Sequence, residues 1–429
     1  MTREMKNSGV EWIGNIPSEW KIIKSKYIFA NHKEIVGDRE NNFERLSLTL
    51  NGVLKRPKDD SKGLQSESLS TYQVLYKDEL VFKMIDLENT STSRVGYSPY
   101  TGLVSPVYIV FNNNKYSKYG FWYFYNLWQR NIYNTLGNNG VRSALNASDM
   151  LNLPFIQIPN EEQTRISDFL DSKVTEIDKI ISETRASIEN YKGYKQSVIT
   201  EAVTKGLDKN VPMKDSGIEW IGEIPVDWRL GKIKSCVTKV GSGKTPKGGG
   251  DVYSSEGVLF LRSQNVYDTG LVLDDPTYIS EEIDEEMKNT RVMDKDVLLN
   301  ITGGSIGRCC IYDKSYGKAN VNQHVSIIRL KQDIMFPEYM HYYWLSSLGK
   351  MSVNLYQTGG NREGMSADAI KNSPIIYTSI STQKEIIAFL DSKCAEIDNI
   401  ILEKEKLITN LEEYKKSLIY EYVTGKKVV

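Results

Sequence analysis

The segment GSGKT at residues 241–245 has the residue types that bind nucleotide phosphates in a P-loop. A P-loop also needs a glycine five positions before its second glycine, so that backbone N–H groups can surround the phosphates. Thr238 occupies that position, and Pro246 follows where a helix would have to continue. The segment therefore argues against a nucleotide site and favours a basic loop on DNA, with an ordinary surface loop as the alternative. Its candidate DNA contacts are Ser242, Lys244 and Thr245.

Amide and imidazole side chains occur together at Asn322, Gln323 and His324, directly before the apolar run VSIIRL. Asn and Gln can pair with adenine through two hydrogen bonds in the major groove, so this triplet is a candidate DNA contact. Capping and turn chemistry is the alternative interpretation. The stretch TGGSIGR at 302–308 lacks the GxGxxG spacing of a dinucleotide site, and it predicts a tight hairpin turn.

Two arginines, Arg142 and Arg362, occupy matching positions in the related stretches GVRSALNASDMLNLP (140–154) and GNREGMSADAIKNSP (360–374). A guanidinium offers a fixed fork of donors for a phosphate or a guanine, so both are candidate DNA contacts. A buried structural pair is the alternative. The other basic candidates are scattered along the chain: Lys55, Arg56, Lys83, Arg94 and Arg262.

Residues that would indicate catalysis or metal binding are scarce. The four cysteines form no CxxC pair, and the chain has only three histidines, which argues against a zinc site. A nuclease or methyltransferase in its own right is the main alternative class. The Asp/Asn-Pro-Pro-Tyr/Phe quartet of amino-methyltransferases is missing, which counts against it. We therefore predict a non-catalytic chain that binds no metal and no cofactor.

Charge is balanced overall but segregated along the chain. The net charge is −1, yet residues 229–250 carry six Lys or Arg and no acid, and residues 274–286 carry seven acids and no base. Such segregation indicates a basic face for phosphates, with two solvated loops of opposite sign as the alternative. No long apolar run or apolar leader occurs, so we expect a reduced, cytoplasmic protein without a membrane span.

The candidate residues lie in two regions, about 21–155 and 229–375, where short β-rich runs alternate with turn residues. VYIVF, VLFLR, DVLLNITGG and VSIIRL are examples of these runs. We predict two α+β domains of similar fold but unlike surface.

Each region is framed by repeated sequence. Residues 6–20 and 214–228 are identical at ten of fifteen positions, and FLDSKVTEIDKII recurs as FLDSKCAEIDNII at an offset of 220. The paired tryptophans of this repeat, Trp12 with Trp20 and Trp220 with Trp228, are expected to seal each domain against a helix end. The predicted order is a first domain over 1–160, a long helix over 161–206, a second domain over 207–380 and a second helix over 381–429.

The two long helices carry a heptad pattern of apolar residues. We predict that they pack as an antiparallel coiled coil if a pseudo-two-fold axis relates the two halves. The predicted seam consists of Ile177, Ile181, Ile188, Tyr191 and Val198 in the first helix and Ile397, Ile401, Ile408, Leu411 and Leu418 in the second.

The duplicated EWIGxIPxxW, the helix openings FLDSKxxEID and the helix ends KQSVITEAVTKG and KKSLIYEYVTGK together resemble the specificity (S) subunit of type I restriction-modification systems. GSGKTP, DVLLNITGGSIGR and VNQHVSIIRL look like one common kind of target recognition domain of that family. ELVFKM and GLVSPVYIVF in the first domain look like another kind. The resemblance covers essentially the whole chain.

The resemblance implies that each domain recognises one half of a bipartite, asymmetric sequence in double-stranded DNA. The helices would fix the distance between the halves and bind two modification subunits, which methylate adenine at N6 with S-adenosylmethionine. Two restriction subunits would add ATP- and Mg-dependent translocation and cleavage. A recognition subunit of a methylation-only or type IIB-like system is the close alternative. A coiled-coil adaptor without a DNA role is a third, disfavoured by the two unlike domains.

Overall fold

The structure, a computed structural model, describes residues 3–57, 68–88, 91–112, 115–136, 144–357 and 364–429. Arg142 and Arg362 lie outside the described residues. Among those that are described, no helix is both long enough and apolar enough to cross a membrane. The chain divides into two compact units: the first comprises Met1–Thr184 and Glu405–Val429, and the second comprises Arg185–Lys404.

In its described residues, the first unit combines short strands with three α-helices that precede the first long helix. Its helices are α1 (Ser117–Gln129), α2 (Ile132–Leu136) and α3 (Ala147–Asn152). Its strands are β1 (Met5–Asn7), β2 (Asn15–Pro17), β3 (Lys21–Lys24), β4 (Ala30–Asn31), β5 (Arg45–Thr49), β6 (Gly52–Arg56), β7 (Gln73–Leu75), β8 (Leu80–Phe82), β9 (Val95–Tyr97), β10 (Gly102–Val104), β11 (Ile109–Asn112) and β12 (Pro154–Gln157).

The long helix α4 (Asn160–Lys205) follows, and the second unit continues after it. Its strands are β13 (Met213–Asp215), β14 (Glu223–Pro225), β15 (Arg229–Lys232), β16 (Val237–Ser242), β17 (Val258–Leu261), β18 (Val266–Tyr267), β19 (Gly270–Leu271), β20 (Tyr278–Ile279), β21 (Val297–Asn300), β22 (Cys309–Ile311), β23 (Ala319–Val321), β24 (Val325–Leu330) and β25 (Pro374–Tyr377). Its helices are α5 (Glu281–Glu286), α6 (Pro337–Leu345), α7 (Ser347–Tyr356) and α8 (Ala367–Asn372), and the long α9 (Ile380–Val423) comes last.

The two units repeat the same sheet. The first contains the order β4-β11-β8-β9 and the second contains β16-β24-β21-β22, with neighbouring strands antiparallel in both. Strands such as β8 (LVF) and β21 (VLLN) are buried along their whole length. Continuous apolar runs of this kind form strands that are covered on both faces. A second sheet accompanies the first in each unit, with the orders β6-β5-β10-β7 and β20-β17-β23.

The ends of both long helices have recognisable stop signals. Gly206 follows α4 with φ +79° and Gly425 follows α9 with φ +70°, the left-handed conformation that glycine adopts after a helix. A Cβ at Gly425 would lie 2.6 Å from the Trp20 ring, and a Cβ at Gly206 would lie 3.1 Å from the Trp228 ring. Each unit therefore packs a buried tryptophan of the duplicated frame against a helix end.

Parts of α4 and α9 run antiparallel within each unit. In the first, Phe169 stacks near Tyr422 with ring centroids 4.4 Å apart, and Lys415 Nζ lies 2.5 Å from Asp178. In the second, Lys404 lies over the Tyr191 ring at 5.6 Å, and Lys195 Nζ lies 2.6 Å from Asp398. As residue numbers rise along α4, those of the contacting α9 residues fall.

The residues of the predicted seam are buried or half-buried at these contacts. In the first unit they are Ile177, Ile181, Ile408, Leu411 and Leu418, and in the second they are Ile188, Tyr191, Val198, Ile397 and Ile401. The predicted α+β class with two long helices is confirmed. The second helix ends at Val423, six residues before the predicted boundary, because the glycine at 425 terminates it.

Candidate nucleic-acid interface

Several loops of the second unit leave its sheets from one edge. In the first sheet, Ser242 pairs with Ser326 and Asn300 pairs with Val325. In the second, β17 and β23 run parallel, so that both strands end at the same edge, and Asn322 N donates to Leu261 O at 3.0 Å. The register therefore brings the loops that follow β16, β17, β21 and β23 to one place.

The glycine-rich loop after β16 lies directly on the turn before β24. Gly243 N donates to Val325 O at 3.1 Å, and Lys244 N donates to Val321 O at 3.3 Å. A Cβ on Gly243 would lie 1.8 Å from Val321 O, so only glycine fits this approach without movement of the backbone. The loop continues into a short 3₁₀ turn at Gly249–Val252 rather than a long helix, so no P-loop architecture forms here.

Four polar side chains form a hydrogen-bonded row across these loops. Thr245 Oγ1 donates to Gln323 Oε1, and Gln323 Nε2 lies 3.1 Å from His324 Nε2. The other ring nitrogen of His324, Nδ1, lies 2.6 Å from Thr302 Oγ1. Gln323 is exposed to solvent, whereas His324 and Thr302 are half-buried.

Asn322 has a different position from its neighbour Gln323. Its side chain is buried, and its Oδ1 accepts a hydrogen bond of 3.0 Å from His324 N. This contact holds the turn in shape, which is the capping role left open by the sequence. Of the predicted triplet, Gln323 is the side chain that is presented to solvent.

Basic residues surround the row. Lys244 and Lys247 are exposed, and Arg262 and Arg308 are half-buried with their guanidinium groups 5.8 Å and 4.8 Å from the rings of Tyr253 and Tyr267. Within the described part of the chain, no carboxylate lies within ion-pair distance of these four residues. Their charges are therefore available to phosphates.

Part of the acidic segment is paired with cations inside the second unit. Burial by itself would raise the pKa of Asp284, but hydrogen bonds from Arg291, Lys318 and Asn320 lower it below its ordinary value. Arg291 also pairs with Glu285 at 2.5 Å, and Lys318 pairs with Glu281. Three carboxylates of α5, those of Glu281, Asp284 and Glu285, are thus paired with cations of their own unit.

The first unit has a turn at the equivalent place in its own sheet. Tyr108 N donates to Ser105 O at 3.1 Å just before β11, as Val325 N donates to Asn322 O at 3.2 Å at the start of β24. The two central residues of the first turn are Pro106 and Val107, and the Val107 side chain is 54% exposed. The same structural position therefore presents an apolar surface in one unit and amide and imidazole groups in the other.

A second equivalence flanks these turns. Leu145 N donates to Met84 O in the first unit, and Met365 N donates to Ile301 O in the second, both at 2.9 Å. Leu145 and Met365 each lie three positions after one of the two predicted arginines. In both units the chain is thus hydrogen-bonded to the same part of the sheet, three residues after a predicted arginine.

The predicted basic contacts of the first unit have varied surroundings. Lys55 and Arg56 lie in β6, and Lys55 Nζ lies 2.5 Å from Glu44. Lys83 is half-buried and donates to Thr92 Oγ1 at 3.1 Å, and burial lowers its pKa. Arg94 is fully buried and donates to Asp86 O at 2.5 Å. Direct contact with DNA would require Arg94 to leave this position.

Thr302 and Arg308 belong to the candidate interface but were not among the residues predicted from sequence. TGGSIGR forms the predicted hairpin connection between β21 and β22, with φ +68° at Gly303 and +88° at Gly307. Its second role follows from the pairing of β21 with β24, which places Thr302 beside His324. The sequence signal for Thr302 was the pair of apolar runs that form β21 and β24. These runs are far apart in sequence but pair in the sheet.

Comparison with known protein families gives a match over part of the chain. Residues 225–413 match the family model of the type I restriction modification DNA specificity domain. The chain is 26% identical over 276 residues to the EcoBI specificity subunit of Escherichia coli, a type I restriction enzyme, covering 62% of this chain and 57% of that protein. It is 25% identical over 272 residues to the MjaVIII specificity subunit of Methanocaldococcus jannaschii, covering 62% and 60%. The chain thus spans less than two thirds of either relative.

A longer match, 22% identical over 436 residues, is to the putative MjaX specificity subunit of the same archaeon and covers 96% of this chain and 95% of that protein. Solved structures are similar in fold. A chain from a structural study of complex assembly and conformational transition of the type I R-M system gives a TM-score of 0.73 at 12% identity, covering 96% and 99% of the two chains. The HsdS subunit from Thermoanaerobacter tengcongensis gives 0.51 at 13% identity, covering 96% and 98%.

Proposed function

We propose, since the chain belongs to the family of type I restriction-modification specificity subunits, that each of its two globular domains recognises one half of a bipartite DNA sequence. The observation that carries this proposal is the pair of equivalent turns. One sheet architecture presents Pro106 and Val107 in the first unit and Gln323 and His324 in the second. Unlike side chains at one position of a repeated fold are suited to unlike base sequences.

The chain itself would supply recognition and no catalysis. We propose that it directs two modification subunits, which transfer a methyl group from S-adenosylmethionine to adenine N6. Two restriction subunits would use ATP and Mg for translocation and cleavage. No cofactor is assigned to this chain. A recognition subunit of a methylation-only or type IIB-like system would use the same interface, and the two cases differ in their partner subunits.

The proposal is tested by mapping methylated adenines in cells that carry this chain together with its partner modification subunit. We expect one motif of two short, unlike halves separated by a fixed number of unspecified base pairs. Cells with the modification subunit alone are the control and are expected to lack that motif. A continuous motif, or the same motif in the control cells, would contradict the proposed function.

A further inference from the structure

We propose that Gln323 recognises one adenine in the half-site of the second unit, and that its neighbours hold its carboxamide in place. The positioning residues are Thr245, His324 and Thr302. This inference rests on the proposed function and names one base contact within it.

The hydrogen-bonded row is complete in the orientation that the structure gives to the Gln323 carboxamide. Gln323 Oε1 accepts from the Thr245 hydroxyl, and its amide nitrogen donates to His324 Nε2. Because an amide N–H can only donate, Nε2 must be the acceptor nitrogen of the ring. The ring proton is therefore on Nδ1, from which it is donated to Thr302 Oγ1.

The row leaves Gln323 with one acceptor and one donor for a ligand. Its oxygen retains one lone pair, its nitrogen retains one N–H, and the side chain is exposed. Adenine offers the complementary pair in the major groove, an N6 amino donor and an N7 acceptor. Guanine offers two acceptors there, one of which would face the carboxamide oxygen. The free edge of Gln323 therefore favours adenine.

The row also explains why this residue can discriminate. Both ends of the carboxamide are bonded to neighbours, which holds the group in place. The threonine hydroxyls can donate or accept and His324 has two tautomers, so a carboxamide rotated by 180° keeps these bonds, and in both orientations its free edge has one donor and one acceptor. His324 is itself fixed, because its backbone N–H donates to the buried Asn322 Oδ1. The loop that carries Thr245 is fixed by the close approach of Gly243 to Val321 O. A side chain ordered before binding loses less entropy when it binds.

The exposed lysines close to Gln323 favour DNA as the ligand of its free amide edge. Lys244 and Lys247 are exposed on the same loop as Thr245, and they are suited to phosphate contacts, which position a protein on the duplex without reading sequence. In the first unit the equivalent turn has Pro106, which has no donor at all. The adenine contact is therefore expected in one half-site only.

The test is the substitution Gln323→Glu, which keeps the length of the side chain and replaces its donor by an acceptor. A carboxylate accepts from the cytosine N4 amino group, so we expect the preference at one position of one half-site to change from adenine to cytosine, by about tenfold or more. The readout is sequencing of duplexes selected from a random pool by the complex with the modification subunit. Gln332→Glu is the matched control, since Gln332 is also exposed and follows the far end of β24.

A second variant covers the case in which Gln323→Glu abolishes binding. Thr302→Val removes the hydroxyl that holds His324 while keeping the shape of the side chain, so we expect a relaxed preference at that same position and an unchanged motif elsewhere. An unchanged preference in both variants, with a bipartite motif from the parent chain, would overturn the adenine contact alone. Failure of the parent chain to select a bipartite motif would instead overturn the proposed function.

Discussion

Gly243 is the residue whose identity the fold of the interface constrains most tightly. The ideal Cβ position lies 1.8 Å from Val321 O, and both neighbouring atoms within 2.5 Å are also backbone. A side chain cannot be accommodated by rotation of a flexible neighbour, so the loop or the turn must move. Movement of either would separate Thr245 from Gln323.

We predict that Gly243→Ala weakens binding to a duplex carrying the recognised sequence by at least about tenfold and destabilises the second unit by about 1–3 kcal/mol through overpacking. Fluorescence anisotropy of a labelled duplex and urea unfolding measure the two effects. Gly241→Ala is the control, because a Cβ there meets nothing within 4 Å. Equal DNA affinity and equal stability of Gly243→Ala and Gly241→Ala would contradict a role for the close approach of Gly243 to Val321 O.

The sequence pointed to a pair of adjacent amides but not to which of the two side chains faces outward. Asn322 and Gln323 are adjacent amides, yet one is buried beneath the turn and the other is exposed. That difference depends on the turn at residues 322–325, which no local pattern encodes. Arg94 shows the same difficulty, since a basic residue next to a strand was expected at the surface and is fully buried.

At the scale of elements, the long helices were the most predictable part of the chain. Their heptad pattern is local and repeats over many turns, so it specifies an inner face without knowledge of the partner. Two lysines separated by the repeat offset of 220 have equivalent roles, because Lys195 pairs with Asp398 in one unit as Lys415 pairs with Asp178 in the other. Such exposed ion pairs stabilise by only about 0.2–1 kcal/mol, so the apolar seam provides most of the packing energy.

Two adjacent isoleucines of α4 test the assignment of the seam. Ile181 is 6% exposed in the core of the first unit, whereas Ile180 is 38% exposed. We predict that Ile181→Ala lowers the free energy of unfolding of this unit by about 2–4 kcal/mol, because it leaves a cavity. Ile180→Ala is expected to change it by less than about 0.5 kcal/mol. Urea unfolding followed by tryptophan fluorescence measures both, and a larger effect at Ile180 would place the seam on the wrong face.

The strands were harder to place than the helices. Runs such as VLLN and VSIIRL predict strands, but the pairing of β21 with β24 joins residues 25 or more positions apart. This pairing places Thr302 of the TGGSIGR turn beside His324, and so makes the turn part of the candidate interface. Periodicity predicts that a strand is present and which face of a helix is buried. The pairing of strands far apart in sequence depends on the packing of the whole domain.

At the scale of the whole molecule, the chain is one frame used twice with different surfaces. Three features recur in both units: the tryptophan that packs against a helix end, the order of strands in the sheet, and a backbone hydrogen bond to the segment after β8 or β21. That bond is donated by Leu145 N in the first unit and by Met365 N in the second. The turns before β11 and β24 have unlike side chains, Pro106 and Val107 in one and Gln323 and His324 in the other. If recognition is located in the unlike parts, the two half-sites should change independently of each other.

The most direct test of this account is to exchange residues 21–157 for the corresponding domain of another family member and to map methylated adenines. The boundaries keep the pair of β3 with β12 together, since Lys21 pairs with Gln157. We predict a motif in which one half has changed completely while the other half is retained. A change in both halves, or in neither, would contradict the claim that each unit recognises its own half-site.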